Sequence, residues 1–328
     1  MHPCGYMQHD VWCVVLAAGA GRRLASVTGG VPKQFWNAGE TGTLLEDTLV
    51  RTRPLSPPKQ TVIVVDRTHE LFVRRLGLER SHRVVYQPRD RGTAAGVLFG
   101  LSEVAALAPD SLVVLTPSDH GVGDSAQFLR GIADAADDVR RNPREVVLFG
   151  AAPSSAEGDY GWITPASESA GRRLRRVASF VEKPTADVVD QLFASDAVWN
   201  TMVLVATARR LQSLYREHLP VLSGAFAASI AAGDRHSDVV RQAYEQLPVT
   251  DFSRDLLGRA PGLSFYTWPR AMGWSDLGTP DRLAGWRGGR PFTVWRPEGL
   301  RPCHQSTRSS FQPISAKPPR QHADMRRS

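Results

Sequence analysis

The 328-residue chain is 42% hydrophobic and 22% charged, enough apolar side chain for one large domain or two smaller ones and too little charge for a disordered chain. No apolar run approaches the roughly 20 residues of a membrane-spanning helix, MHPCGYMQHD lacks the pattern of a signal peptide, and Cys4, Cys13 and Cys303 suggest neither a disulfide framework nor a zinc site, which fits a reducing cytoplasm. The net charge of +7 is a weak argument for nucleic acid, because from residue 290 onward eight basic residues face two acidic ones and the preceding 289 residues carry only +1.

Residues 1–10 read as a loose leader. VWCVVLAA (11–18) is a short apolar, β-branched run that ends in glycines, the pattern of a buried strand. Similar runs follow at 61–66 (TVIVVD), 83–87 (RVVYQ), 111–119 (SLVVLTPSD) and 145–151 (EVVLFGA). Helical patterns lie between them at 44–53, 68–78, 93–107 and 124–141. Continuous apolar strands alternating with amphipathic helices predict an α/β fold with a parallel sheet covered on both faces. Its binding crevice is then expected beyond the carboxyl ends of the strands. The second half changes rhythm: RVASFVEKP, AVWNTMVLVA and LSFYTW read as further strands, with a helix near 186–194. It is expected to elaborate the same sheet and supply the other half of a cleft. From about residue 287 the chain turns to Pro, Ser, Arg and Gln without periodicity and is expected to be disordered.

The strand exits carry the chemistry. After the first strand, Gly19-Ala20-Gly21-Arg22-Arg23-Leu24 lets the backbone turn sharply and present N–H groups to phosphate oxygens. Arg22, Arg23 and the nearby Lys33 could neutralise a triphosphate. No Gly-Lys-Ser/Thr follows, so this is not a Walker A loop, and no third glycine completes a dinucleotide fingerprint. By itself the motif is equally compatible with a plain strand-to-helix turn.

With Pro32-Lys33-Gln34-Phe35 added, the opening resembles that of the mannose-1-phosphate guanylyltransferases within the wider sugar nucleotidyltransferase family. Further motifs occur in the family's order: Gln87-Pro88 through Arg91-Gly92-Thr93-Ala94, Pro117-Ser118-Asp119-His120, Tyr160-Gly161-Trp162-Ile163, Val181-Glu182-Lys183-Pro184, Trp199-Asn200 and Gly273-Trp274-Ser275-Asp276-Leu277-Gly278. The resemblance spans about 11–283. It implies a Rossmann-like nucleotidyltransferase fold with a mixed, mostly parallel sheet, a nucleotide-binding half at 11–150 and a sugar-phosphate half at 151–286. Many relatives carry a β-helical domain after this core, but residues 290–328 are too few and too Pro-rich for one, so no C-terminal β-helix is expected.

It also implies a reaction, the transfer of a nucleotidyl group from GTP to mannose 1-phosphate with Mg²⁺ as cofactor. Arg23 and Lys33 become the catalytic cations, and loss of either is expected to lower turnover at least about a hundredfold. Nucleotide contacts fall on Leu16, Ala17, Ala18, Gly19, Gly21, Arg22, Arg23, Lys33, Gln87, Pro88, Gly92, Thr93, Ala94, Ser118 and Asp119. Sugar-phosphate contacts fall on Tyr160, Gly161, Glu182, Lys183 and Asn200, and metal ligation on Asp119 and Asp276. Trp199 is better read as core packing, and Asp119 has an alternative reading as a helix N-cap.

Three departures loosen the substrate assignment. Gln87 replaces the family's glutamate, Gly92 and Ala95 replace an asparagine and a proline, and Thr201-Met202-Val203 replaces Ser-Gly-Met. UTP or dTTP with glucose 1-phosphate is the nearest alternative pair. A non-catalytic sugar-nucleotide sensor would be expected to lack a metal carboxylate or a phosphate cation, yet both kinds are present. A nicotinamide oxidoreductase is disfavoured by the missing third glycine. No membrane or specific nucleic acid partner is expected, and the sequence leaves open whether the chain forms a homo-oligomer.

Overall fold

The structure, a computed structural model, describes residues 10–37, 42–169, 171–231, 242 and 244–287. The expected leader up to residue 9, the basic tail from residue 288, Cys4 and Cys303 lie outside the described residues. In chain order the first half runs β1 (Val11–Ala17), α1 (Ala25–Thr28), α2 (Leu44–Thr52), β2 (Thr61–Asp66), α3 (Glu70–Leu76), β3 (Arg83–Gln87), α4 (Thr93–Leu107), β4 (Leu112–Pro117), β5 (Gly121–Val122), α5 (Ser125–Arg141) and β6 (Val146–Ala151). The second half adds β7 (Gly161–Pro165), β8 (Arg175–Glu182), α6 (Ala186–Phe193), β9 (Val198–Thr207), α7 (Ala208–His218), α8 (Pro220–Ala231), β10 (Leu263–Trp268), β11 (Trp274–Ser275) and α9 (Pro280–Arg287).

Local chemistry sets several of these boundaries. The Thr43 hydroxyl accepts from the Glu46 N–H while the Glu46 carboxylate accepts from the Thr43 N–H, a reciprocal cap that starts α2. Asp124 caps α5 by accepting from the Gln127 N–H. The helix-capping role open to Asp119 therefore belongs to a residue five positions later.

Nine strands form one sheet in the order β3-β2-β1-β4-β9-β6-β10-β8-β7, and β11 pairs with β5 separately. The pairs β1–β2, β2–β3, β1–β4 and β6–β10 are parallel, as the first-half pattern predicts. β9 runs antiparallel between β4 and β6, and β7 and β8 are also antiparallel to their neighbours. The sheet is thus mixed and mostly parallel in its first half, as the resemblance implied, with the antiparallel strands entering in the second half. β9 is buried along almost all of its ten residues, so its apolar run fits a central position without revealing direction. Through it, both halves of the chain contribute to one sheet.

Alternating side chains feed two cores. Trp12 and Val14 of β1 join α4, α7 and α8 on one face, while Val11, Cys13 and Val15 join α2, α3 and α5 on the other. The chain moves from β1 outward to β2 and β3, then returns to place β4 on the other side of β1. That reversal makes a switch point between β1 and β4, where a crevice opens at the carboxyl ends of strands. Gly19–Arg23 and Ser118–Asp119 emerge there. Among the described residues no helix is long and apolar enough to cross a membrane.

Candidate active site

The glycine loop is fixed from several sides. Gly21 has φ +62, and a Cβ there would lie 2.9 Å from the backbone nitrogen of Lys33, so the loop and the Pro32–Phe35 segment meet only because no side chain intervenes. Gln34 is buried, and its Nε2 donates to the carbonyls of Ala17 at 2.7 Å and Gly19 at 3.0 Å. The Ser118 N–H donates to the Leu16 carbonyl at 3.0 Å, which ties the Asp119 loop to the end of β1 beside Ala18. Arg22 and Arg23 are both exposed in a short 3₁₀ turn whose third member, Leu24, anchors it in the core. Arg23 Nη1 lies 3.3 Å from Asp159.

Lys33 departs from the picture of a free phosphate-binding cation. Its side chain is 7% exposed, with Nζ 3.0 Å from Asp119 Oδ2. The same ammonium donates to the carbonyl oxygen of Asp276. One buried cation therefore joins three segments that are far apart in sequence. The antiparallel β5–β11 pair, with Gly121 opposite Ser275 and Val122 opposite Trp274, holds the two aspartate loops side by side.

Asp276 is oriented by further donors. Its Oδ1 accepts from the Tyr160 hydroxyl at 2.8 Å and from the Gly278 N–H at 3.0 Å. Arg282 Nη1 lies 3.2 Å from both carboxylate oxygens, and its Nη2 reaches Glu157 Oε2 at 2.6 Å. The guanidinium sits 4.3 Å from the centre of the Tyr160 ring, close enough for a cation–π contact. Burial pushes the Asp119 carboxyl up, but the Lys33 ammonium and His120 together outweigh it and hold the group below the usual range. Burial likewise raises Asp276, and His120, the Tyr160 hydroxyl, Arg282 and the Gly278 N–H together bring it below the usual range. Desolvation lowers His120 to about 4, so it is neutral at pH 7. The local balance is two carboxylates against Lys33 and Arg282.

Gly161 lies opposite Glu182 in the β7–β8 register, and Trp162 lies opposite Trp199 on β9. Asn200 Oδ1 accepts from the Met202 N–H at 3.1 Å, and its Nδ2 donates to Ser253 Oγ at 3.2 Å. Ser253 Oγ in turn contacts Met202 Sδ at 3.0 Å. Trp199 packs against Tyr160, with ring centres 4.7 Å apart. Lys183 is exposed at the end of β8. Among the described residues, the non-glycine residues with left-handed backbone are Lys183, Met202 and Leu277 at φ +48, +58 and +49. Each lies in a motif singled out from the sequence. Such conformations cost about 1–3 kcal/mol apiece and concentrate where function demands a particular backbone path.

The segment expected to embrace the base is turned largely onto residues 244–252. Gln87 is buried, with its amide bonded to the Tyr244 hydroxyl. The Ala94 N–H donates to the Thr250 carbonyl at 3.1 Å, and Thr93 Oγ1 accepts from the Phe252 N–H at 2.8 Å. Pro88 is half-buried in the turn leading to Gly92. Sequence reasoning missed this supporting segment, and it also missed Arg282 and Glu157. Arg282 and Glu157 are 125 positions apart, and no local spacing announces such a pair. A signal for the segment was present in Asp251-Phe252-Ser253-Arg254, where Asp251 caps a π-helical turn by accepting from the Arg254 N–H.

Asp119 and Asp276 are the residues suited to a divalent cation. Among the described residues no cluster of three His, Cys, Asp or Glu side chains could hold a metal by itself. Two carboxylates at a phosphate-binding crevice instead suit a hard cation that completes its shell with substrate oxygens and water.

Comparison with known proteins agrees with this arrangement. The nucleotidyl transferase family model matches residues 12–286. Xanthan biosynthesis protein XanB of Xanthomonas campestris pv. campestris (strain B100) is 26% identical over 279 residues, covering 82% of this chain and 58% of that protein. The mannose-1-phosphate guanylyltransferase of Escherichia coli (strain K12) is 25% identical over 286 residues, covering 83% and 59%. Among solved structures, a mannose-1-phosphate geranyltransferase from Thermus thermophilus superposes with a TM-score of 0.73 at 27% identity, covering 82% of this chain and 76% of that one. The chain thus spans somewhat under three-fifths of the length of these two curated relatives.

Proposed function

This chain belongs to the nucleotidyl transferase family, and we propose that it transfers a nucleotidyl group from GTP to mannose 1-phosphate, releasing pyrophosphate, with Mg²⁺ as cofactor. The observation that carries the reading is the Lys33 bridge between the Asp119 carboxylate and the Asp276 backbone. It assembles two ionised carboxylates and a cation beside a glycine loop at the sheet's switch point. In the proposed reaction, a phosphate oxygen of the sugar phosphate attacks the α-phosphorus of the triphosphate in line with the leaving pyrophosphate. The new P–O bond forms as the α–β bridge bond breaks. A phosphate dianion is already a nucleophile, so the protein's work is positioning and electrostatic stabilisation.

The glycine-loop N–H groups and Arg23 would receive the triphosphate. Lys33 would keep Asp119 and Asp276 ionised and in register, and these two would hold Mg²⁺, which when bound neutralises phosphate charge. Lys183 would meet the sugar phosphate, while Glu182, Asn200, Tyr160 and the backbone at Gly161 would meet the sugar. The reaction is proposed for the cytoplasm. The mannose-1-phosphate names among the relatives support the substrate pair. The test is pyrophosphate release by purified protein with each common nucleoside triphosphate, crossed with mannose and glucose 1-phosphates. Release confined to GTP and mannose 1-phosphate is expected. Preference for UTP or dTTP with glucose 1-phosphate would reject the pair while retaining the chemistry.

Glu182 gives this site a pH dependence. Burial, reinforced by Asp251, pushes its carboxyl up to about 7 against the opposing pull of Lys183 and Arg254. The carboxylate accepts sugar hydroxyls more strongly than the neutral acid. KM for the sugar phosphate is therefore expected to fall several-fold between pH 6 and pH 8 beyond the ionisation of the substrate itself, and Glu182→Gln should remove that component. For stability the sign is opposite. The folded state binds this proton more tightly than the unfolded chain, so the contribution is present at low pH and declines as pH rises toward about 7. An unchanged KM profile in the Gln variant would remove Glu182 from the sugar contacts.

A further inference from the structure

A second cavity, of about 840 Å³, opens away from the aspartates, between α5, the end of β10 and the turn leading into β8. That volume lies within the range of small-molecule sites. Four guanidinium groups border it: Arg130 from α5, Arg172 and Arg173 from the turn, and Arg175 from β8. The carboxylates lining it are Asp134 and Asp196, paired with Arg173 and Arg175 respectively. Arg130 and Arg172 are exposed, and their guanidinium groups have no ion pair or hydrogen bond among the described residues. The local surplus is +2, although the whole chain before the tail carries only +1. General basicity therefore does not explain the cluster.

The wall is rich in donors and short of acceptors. Trp268 and Tyr266 of β10 line the cavity, and the guanidinium of Arg173 lies 5.3 Å from the Tyr266 ring centre. Trp268 is 3% exposed, yet its indole N–H has no acceptor, and Arg175 Nε is likewise buried without one. Unsatisfied buried donors are uncommon in folded proteins and call for an acceptor such as an ion or ordered water. Two unpaired guanidinium groups beside an aromatic wall suit the charge of a phosphate monoester, whose terminal oxygens can accept from the two-pronged N–H donors of arginine.

We propose that this cavity is a second ligand site, distinct from the aspartate centre, which takes an organic phosphate monoester in its dianionic form. Its position suggests a consequence that rests on the catalytic reading given above. α5 follows directly from β5, which follows Asp119, and β10 leads through 269–273 into β11 and Asp276. The N–H groups of Gly123 and Asp124 donate to the carbonyls of Gly273 and Met272 at 3.1 and 3.0 Å. The elements that wall the cavity therefore continue into the two loops that present the carboxylates. A ligand that draws α5 toward β10 would alter their spacing.

The test is calorimetric titration of the full chain with glucose 6-phosphate and, separately, GMP, accompanied by hydrogen exchange of the unmodified protein. Lys183→Ala is expected to retain a binding event, and Arg130→Glu/Arg172→Glu to weaken that event at least about tenfold, the least that losing one charge-assisted hydrogen bond would give. Pyrophosphate release by the double variant without added ligand should stay within about twofold of wild type. Ligand should protect amides in α5 and residues 266–269, which requires no variant to fold. Glucose 6-phosphate alone producing these effects would assign a sugar phosphate, and GMP alone a nucleotide. Binding that disappears with Lys183→Ala, or that survives charge reversal with no protection of α5, would overturn the second site. Loss of pyrophosphate release with cavity binding intact would instead count against the catalytic reading.

Discussion

Lys33→Ala is expected to destabilise the protein by about 3 kcal/mol and to lower turnover at least about a hundredfold. The ammonium is 7% exposed on its side chain and is shared by the Asp119 carboxylate and the Asp276 carbonyl. Removing one partner of a buried pair leaves the other charge uncompensated, which costs more than the pair itself contributes. Asp119 would then face the Asp276 carboxylate without its main counter-ion, and its pKa should rise toward or above the ordinary value. The two losses are separable. Urea unfolding reports the first, and pyrophosphate release by the variant below its unfolding transition reports the second. Lys33→Arg keeps the charge but not the compact ammonium geometry, and should recover stability better than turnover. A folded Lys33→Ala protein within threefold of wild-type activity would remove this residue from the catalytic centre.

The second large effect is expected at Gly92. Its backbone lies at φ +83 and ψ 171, a region that is essentially confined to glycine. An added Cβ would collide with the Thr250 carbonyl, which is backbone with no flexible end to move aside. Strain and collision together should cost about 3 kcal/mol or more. They should also break the Thr250–Ala94 and Phe252–Thr93 hydrogen bonds that seat residues 250–252 against the start of α4. Gly29→Ala is the matched control, because its φ is also positive, at +63, but its surroundings are open. It should lose only about 1 kcal/mol. Equal unfolding free energies for the two variants would show that the contact at Thr250 is unimportant.

Much of the first half was legible because its strands are short apolar runs with glycines or turn residues at their ends. Those exits led to Gly19–Arg23 and Ser118–Asp119, and the β1–β4 neighbour relation brings them together. The antiparallel course of β9 was not legible, because a strand buried on both faces reads the same in either direction. Lys33 was legible as a cation beside the glycine loop, but its carboxylate partner depends on a fold that carries the chain 86 residues onward. Arg282 escaped for the same reason, with partners at Glu157 and on the adjacent aspartate turn.

The two departures around glycine have physical counterparts. At position 92 the chain uses the freedom glycine supplies. At 202, where the resembling family has glycine, methionine adopts φ +58 and is held by Asn200 and Ser253. The strain at 202 is offset by a network that also fixes the Asn200 amide.

Asp119 and Asp276, as the proposed single metal centre for nucleotidyl transfer, are put to the test by pyrophosphate release from GTP and mannose 1-phosphate as Mg²⁺ is titrated into chelator-treated protein, comparing wild type with Asp119→Asn and Asp276→Asn. Saturable Mg²⁺-dependent release by wild type, reduced at least about a thousandfold in both folded variants, is the predicted result. Release that needs no divalent cation, or that survives within tenfold in either variant at the same Mg²⁺ concentration, would contradict it.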